Sequence, residues 1–66
     1  MMMLVNGEER RLPPGTTLGN WLTEAGLGEK HIVVELNEHI IPRDAWAETI
    51  LQPHDRMEIV TFVGGG

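Results

Sequence analysis

The stretch that decides how this chain folds is "MMLVNGEERRL", residues 2–12. Asn6-Gly7 is the strongest short-range signal for a β-hairpin, because a type I′ turn needs a positive φ at both of its central residues. Val5 lies directly before the turn, and Leu12 closes the second of the two short strands. The stretch therefore predicts an antiparallel hairpin at the start of the fold.

A short helix is predicted after the hairpin. Residues 13–15, "PPG", end the second strand because proline cannot donate a hydrogen bond to the ladder. Thr16 and Thr17 are suitable N-cap residues, and Gly26 is placed as the left-handed residue that ends the helix. Apolar residues between them recur at i, i+3, i+4 and i+7, which is one face of a helix. That stripe consists of Leu18, Trp21, Leu22 and Ala25.

Extended segments dominate the remainder of the chain. Residues 31–37, "HIVVELN", and residues 57–63, "MEIVTFV", alternate in the way that predicts strands. Residues 39–43, "HIIPR", predict a short extended piece that Pro42 stops. Residues 43–49, "RDAWAET", predict a single helical or 3₁₀ turn that inserts its tryptophan.

The predicted order is β-β-α-β, then a short strand and a turn, then a final strand. One helix on one face of a small mixed sheet buries a single apolar stripe economically. A right-handed crossover through the helix places the first and last strands side by side and parallel at the centre. This arrangement is an α+β fold of the β-grasp, or ubiquitin-like, type, with four to five strands. We expect a β-grasp domain over residues 1–63 and a glycine tail over residues 64–66.

The two faces of the predicted sheet differ in an informative way. One face should meet the helix, and it carries Met3, Val5, Ile32, Val34, Leu36, Met57 and Ile59. The opposite face would be polar if only water covered it. It instead carries Leu4, Val33, Val60 and Phe62, which we predict as a partner-binding surface. The alternative is that they are ordinary isolated apolar surface residues.

Composition excludes several classes of function. The chain has 66 residues, no cysteine and a net charge of −5. It therefore has no disulfide and no thiolate for catalysis or zinc binding. The negative charge argues against a nucleic-acid partner. We find no signal peptide and no apolar run near the ~20 residues of a membrane span, and we expect a soluble, cytoplasmic protein without a membrane partner.

The side chains offer no catalytic constellation. His31, His39 and His54 are scattered without metal-ligand spacing, so no metal site is predicted. Serine is absent, and the only glycine-rich segment precedes no helix that could cradle a phosphate. We expect a protein that is not an enzyme and binds no cofactor.

The glycine tail is the remaining chemical feature. Gly64, Gly65 and Gly66 can extend about 10 Å beyond the last strand. Without Cβ atoms they can thread a channel that a side chain would block. A terminal carboxylate becomes electrophilic once ATP activates it as an acyl adenylate. The tail therefore predicts a substrate or carrier that is presented to an active site on another protein.

Three segments resemble one known family along nearly the whole chain: "VNGEER" (5–10), "IVVELNEHIIPRDAWAET" (32–49) and "DRMEIVTFVGGG" (55–66). The family is the sulfur-carrier proteins of thiamine (thiazole) biosynthesis. The resemblance implies that an E1-like adenylating enzyme uses ATP to adenylate Gly66, which becomes a thiocarboxylate. A cysteine desulfurase or related relay supplies the sulfur, and thiazole synthase receives it. By position, Gly64 and Gly65 are the threaded tail, and Val60 and Phe62 lie in the strand that leads to it.

The chain departs from the family's pattern at two places. The last loop is "QPHDR" (52–56) where the family often has a glycine turn, and Glu38 stands where glycine is frequent. Both departures lie away from the terminus, so they bear on the local backbone more than on the chemistry of the tail.

Three different functions are also compatible with a small β-grasp domain that ends in glycine. The small subunit of molybdopterin synthase resembles this chain in fold and uses the same thiocarboxylate. A ubiquitin-like protein modifier passes its terminal carbonyl to a lysine amine of another protein. A plain β-grasp binding module would carry the glycines only as the remnant of a linker.

Overall fold

The computed structural model describes residues 1–62. Its elements, in chain order, are strands β1 (Met2–Val5) and β2 (Glu8–Arg11), helix α1 (Leu18–Glu24), strands β3 (Ile32–Leu36) and β4 (His39–Ile41), a 3₁₀ helix (Arg43–Glu48) and strand β5 (Arg56–Thr61). This order is the one predicted from the sequence. The predicted domain end at Val63 and the tail Gly64–Gly66 lie outside the described residues.

The strands form one mixed sheet in the order β2-β1-β5-β3-β4. β1 and β5 are parallel, with Leu4 opposite Arg56 and Val5 opposite Met57. The other neighbouring pairs, β1–β2, β3–β5 and β3–β4, are antiparallel. The last strand is thus the central one, which confirms the β-grasp fold with five strands.

The first hairpin is closed by the Asn-Gly turn. Asn6 has a φ of 50° and Gly7 a φ of 82°, as a type I′ turn requires. The Asn6 side chain also reaches the central strand: its Oδ1 accepts a 2.8 Å bond from the Ile59 N–H. The Asn6 backbone N–H donates to the Met57 carbonyl at 2.8 Å. The turn residue therefore continues the β1–β5 pairing past the end of β1.

Helix α1 begins and ends as the sequence predicts, but its buried stripe contains fewer residues than the predicted one. Thr17 caps it, with Oγ1 accepting from the Asn20 N–H at 3.1 Å, and Gly26 follows it with a φ of 79°. Leu18 and Leu22 are buried, and Trp21, half-buried, packs against the core. The placement of Ala25 on the buried stripe was wrong. The helix ends at Glu24, so Ala25 is its C-cap and lies exposed on the turn that leaves the helix.

The core lies between α1, the 3₁₀ helix and one face of the sheet. Its buried residues are Met3, Val5, Leu18, Leu22, Val34, Leu36, Trp46, Leu51 and Met57. Ile32 and Ile59 are half-buried against this cluster, so the predicted helix-facing side of the sheet is confirmed. Trp46 is also inserted as predicted, with its Nε1–H donating to the Ile41 carbonyl at 3.0 Å. Of the helices within residues 1–62, none has the length and apolar character needed to cross a bilayer.

The turns next to β5 are joined by a buried carboxylate. Asp55 is only 8% exposed, and its two oxygens accept bonds from Asn37 Nδ2 at 2.9 Å and from the Gln52 N–H at 2.8 Å. These bonds offset the cost of removing the carboxylate from water. Pro53 initiates the turn before Asp55, and His54 takes the positive φ of 69° that a type II turn requires at that position. The sequence departure in this loop is therefore accommodated by a different turn.

Glu38 has a φ of 72° in the turn between β3 and β4, where the family often has glycine. A side chain is strained in this left-handed region, whereas glycine is not. We therefore expect Glu38→Gly to raise the free energy of unfolding by up to about 1 kcal/mol in urea denaturation. Glu38→Gln is the matched control, because it removes the same charge but keeps the strain. If the two variants are equally stable, strain at Glu38 is not the cause.

Candidate functional site

The predicted chemical residues Gly64, Gly65 and Gly66 lie outside the described residues. What the structure describes is the strand that leads to them and the sheet face around that strand. β5 pairs with β3 over all but its first residue, from Leu36 opposite Met57 to Ile32 opposite Thr61. The Phe62 N–H then donates to the His31 carbonyl at 3.0 Å. The base of the tail is thus fixed to the sheet as far as Phe62.

The two edges of β5 are supported over different lengths. In an antiparallel ladder, alternate residues bond to the same neighbour. Since Phe62 bonds to β3, Thr61 directs its N–H to the opposite side, the side of β1. There β1 has ended, and the last contact is between Asn6 and Ile59. One edge of the strand is therefore open just before the tail.

Arg43 holds the loop that supports Phe62. Its guanidinium donates to the carbonyls of Gly28 and Lys30, both at 2.6 Å. The guanidinium also lies over the Trp46 ring, 4.4 Å from the ring centroid, in a cation–π contact. This loop leads directly into His31, the bonding partner of Phe62. Sequence reasoning missed this role, although Arg43 lies in one of the segments that carry the family resemblance.

Three of the four residues predicted as the partner-binding surface come together on the helix-free face. Val33 lies directly opposite Val60, and Phe62 follows two residues later on the same side of β5. Val60 and Phe62 are 56% and 59% exposed. Leu4 shares the face but lies opposite Arg56, about 13 Å along the sheet from Val60. We call Val33, Val60 and Phe62 the apolar strip.

Residues that sequence reasoning did not select extend this face. Ile40, on β4, is 67% exposed and lies opposite Glu35. Glu35 in turn lies opposite Glu58 on β5. A surface depression beside the strip is lined by Glu35, Asn37, Glu38, Arg56 and Glu58. The strand alternation indicated which side Glu35 and Glu58 occupy, but the cross-strand register that makes them neighbours is visible only in the structure.

Metal chemistry finds no support in this part of the chain. Among residues 1–62, no three His, Asp or Glu side chains are close enough together to hold a metal ion. His31, His39 and His54 lie in three separate places: before β3, in β4 and in the loop before β5. None of the three histidines is buried. What the described residues offer is a surface for contact together with a supported strand.

The parallel β1–β5 pair at the centre of a five-stranded sheet, with one helix across it, defines a small ubiquitin-like β-grasp protein. A family model described as the ThiS family matches residues 3–66. The chain belongs to the ThiS family.

Two relatives match over their full length. The sulfur carrier protein ThiS of Bacillus subtilis is 36% identical over 66 residues, covering 98% of this chain and 100% of that protein. The crystal structure of the thiamine biosynthesis protein ThiS from Geobacter metallireducens superposes with a TM-score of 0.84 at 26% identity and covers 100% of both chains. The sequence comparison and the structure comparison thus point to the same family.

A second kind of relative is much longer. The thiazole synthase of Paramagnetospirillum magneticum is 36% identical over 66 residues, which is 100% of this chain and 20% of that protein. The thiazole synthase of Magnetococcus marinus is similar, at 35% identity and the same coverage. The chain therefore spans about a fifth of the length of these relatives.

Val60→Ser and Phe62→Ser should leave the fold intact, because both side chains are more than half exposed. We expect each to change the free energy of unfolding by less than about 1 kcal/mol in urea denaturation. Met57→Ala, on the other face of the same strand, is the control and should cost about 2–5 kcal/mol, since Met57 is 1% exposed. A loss at Val60 as large as that at Met57 would place Val60 in the core instead.

Proposed function

We propose that this chain carries sulfur as a thiocarboxylate on Gly66 and delivers it for assembly of the thiazole ring. Membership of the ThiS family makes the chain a sulfur carrier of thiamine biosynthesis. The observation that carries the proposal is the match to the family model, which runs from residue 3 to residue 66 and so includes the glycine tail. Gly66 is then the residue that bears the sulfur.

The proposed chemistry takes place at the main-chain carboxyl group. A carboxylate is a poor electrophile, because neither oxygen is a leaving group. A partner enzyme of the E1-like class joins the Gly66 carboxylate to the AMP part of ATP and releases pyrophosphate. A cysteine desulfurase or related relay presents the sulfur as a persulfide, which displaces AMP and forms an acyl disulfide. A thiol then cleaves the S–S bond, leaving the thiocarboxylate on Gly66 and the relay sulfur in a new disulfide with that thiol. The chain itself supplies no catalytic group in this scheme, and ATP is bound by the partner.

The described residues support this scheme through the position of β5. The strand is bonded to β3 as far as Phe62, so the residues that follow begin from a fixed point on the sheet. Gly64–Gly66 have no side chains, so they can enter a narrow channel of about 10 Å depth. A rigid base with a slender tail lets an enzyme bind the domain and reach the carboxyl group at the same time.

Thiazole synthase is the proposed acceptor of the sulfur. Two proteins named thiazole synthase contain a region similar to the whole of this chain. A carrier joined to an enzyme in one polypeptide is held near its site at high effective concentration. That arrangement in the relatives supports the proposal that this chain and a thiazole synthase act on each other. The site of both reactions would be the cytoplasm.

Intact-mass spectrometry tests the proposal. After incubation with ATP, the adenylating enzyme and a sulfur source, the mass should rise by the difference between one sulfur and one oxygen. We expect deletion of Gly66 to abolish the gain, because no other residue offers the carboxyl group in that position. Conjugation to lysine amines would instead favour a protein modifier, and no change under any condition would contradict both.

Gly65→Trp tests the threaded tail separately. The indole ring cannot follow a channel shaped for main chain, so we expect loading to fall below detection while the thermal midpoint stays unchanged. Gly65→Ala is the matched control and should retain measurable loading, since a methyl group is the smallest addition. Full loading of Gly65→Trp would contradict the narrow channel but leave the role of Gly66 intact.

A further inference from the structure

Two glutamates face each other at the centre of the helix-free face. Glu35 on β3 and Glu58 on β5 are direct cross-strand partners, and both strands lie inside the five-stranded sheet. Directly opposite residues in an antiparallel pair have Cα atoms about 5.5 Å apart or closer, with side chains on the same face. Like charges in this position destabilise the sheet. The arrangement costs stability in the free protein, so it calls for a reason.

The pair lies at the border between an apolar and a polar part of the face, with Asn37 and Arg56 on the polar side. Exposed Ile40 lies beside Glu35, and the row next to the pair is formed by Val33 and Val60. Within residues 1–62, the only ion pair joins Arg10 to Glu8, at 3.1 Å on the edge strand β2. The depression over the pair is lined by one cationic side chain, Arg56, and by the three carboxylates of Glu35, Glu38 and Glu58. Its formal charge is therefore negative.

A protein that covers the apolar strip must also cover these carboxylates. Burying a carboxylate without a cationic or hydrogen-bonding partner is unfavourable enough to cancel the gain from burying Val60 and its neighbours. A cation placed between the two glutamates removes this cost of burial, because it removes their mutual repulsion and satisfies their oxygens. Arginine suits the position best, since its planar group donates to two carboxylates at once.

We propose that the helix-free face docks a protein surface whose apolar centre carries an arginine, and that this arginine is received by Glu35 and Glu58. The inference rests on the proposed function, because the partner is one of the enzymes that load or unload the tail. It specifies what that function leaves open, namely the chemistry by which a partner recognises the domain. Charge complementarity then sets which surfaces can approach the tail.

Glu35→Gln and Glu58→Gln test the inference without changing side-chain size. Binding to the adenylating enzyme and to thiazole synthase is measured by calorimetry at low and at high salt. We expect at least one partner to lose about tenfold or more in affinity with each variant, and to show a weaker salt dependence. Glu9→Gln is the matched control, because Glu9 lies on the same sheet face at edge strand β2 and loses the same charge.

The free protein provides a second readout. Relief of the like-charge pair should raise the thermal midpoint of either glutamine variant by roughly 1–5 °C, whereas Glu9→Gln should not. A midpoint that stays unchanged or falls would contradict the claim that the pair is unfavourable in the free domain. Unchanged affinity of both variants for both partners would overturn the docking inference.

Failure of the inference is separable from failure of the proposed function. If Val60→Ser and Phe62→Ser weaken binding while the glutamine variants do not, the face docks a partner without the arginine. If none of these variants weakens binding, the face is not the docking surface. In either case the mass gain on Gly66 is measured at saturating enzyme, so the sulfur-carrier function is decided independently.

Discussion

The parallel pairing of β1 with β5 is the constraint on which the rest of the structure depends. It joins the first strand to the last, so the segment between them must cross the sheet as a helix and return through β3. The pairing itself is short, with only Leu4 opposite Arg56 and Val5 opposite Met57. Asn6 lengthens it, because its Oδ1 accepts the bond from the Ile59 N–H that a main-chain carbonyl would accept in a longer strand. A turn residue thereby fixes the strand that leads to the tail.

Local signals in the sequence predicted most of the fold. The Asn6-Gly7 turn, the Thr17 cap, the Gly26 end of the helix and the alternation in β3 and β5 all depend on neighbours in the chain. The β-grasp topology followed from them because few arrangements bury one helical stripe on a small sheet. Ala25 was assigned to the buried stripe incorrectly, because the periodicity was extended to the C-cap position, where the chain already leaves the helix.

The candidate site was only partly predictable, for a physical reason. Alternation indicated that Leu4, Val33, Val60 and Phe62 share a face, but not that Leu4 lies apart from the other three. Glu35 and Glu58 became neighbours only through the register of β3 against β5, and a shift of one residue would have separated them. The contacts of Arg43 and of buried Asp55 likewise join segments far apart in sequence. Such pairings are set by the whole fold.

The folded domain and the proposed reactive group belong to different parts of this chain. Residues 1–62 form a supported strand and a face on which apolar side chains border a cross-strand pair of glutamates. The proposed chemistry requires none of these side chains, since it occurs on a main-chain carboxyl group. In the proposed scheme the domain contributes recognition and reach, and its partners contribute catalysis. The negative charge and the absence of cysteine are consistent with a carrier whose sulfur is held on its backbone.

Transfer of isotopically labelled sulfur tests the central claim most directly. The chain is loaded with labelled sulfur, purified, and incubated with thiazole synthase and the other precursors of the ring, with no other sulfur source present. We predict that the label leaves the protein and appears in the thiazole, and that the protein returns to its unloaded mass. Thiazole formed without the label, or label that remains on the protein while the enzyme is active, would contradict the assignment of Gly66 as the sulfur donor.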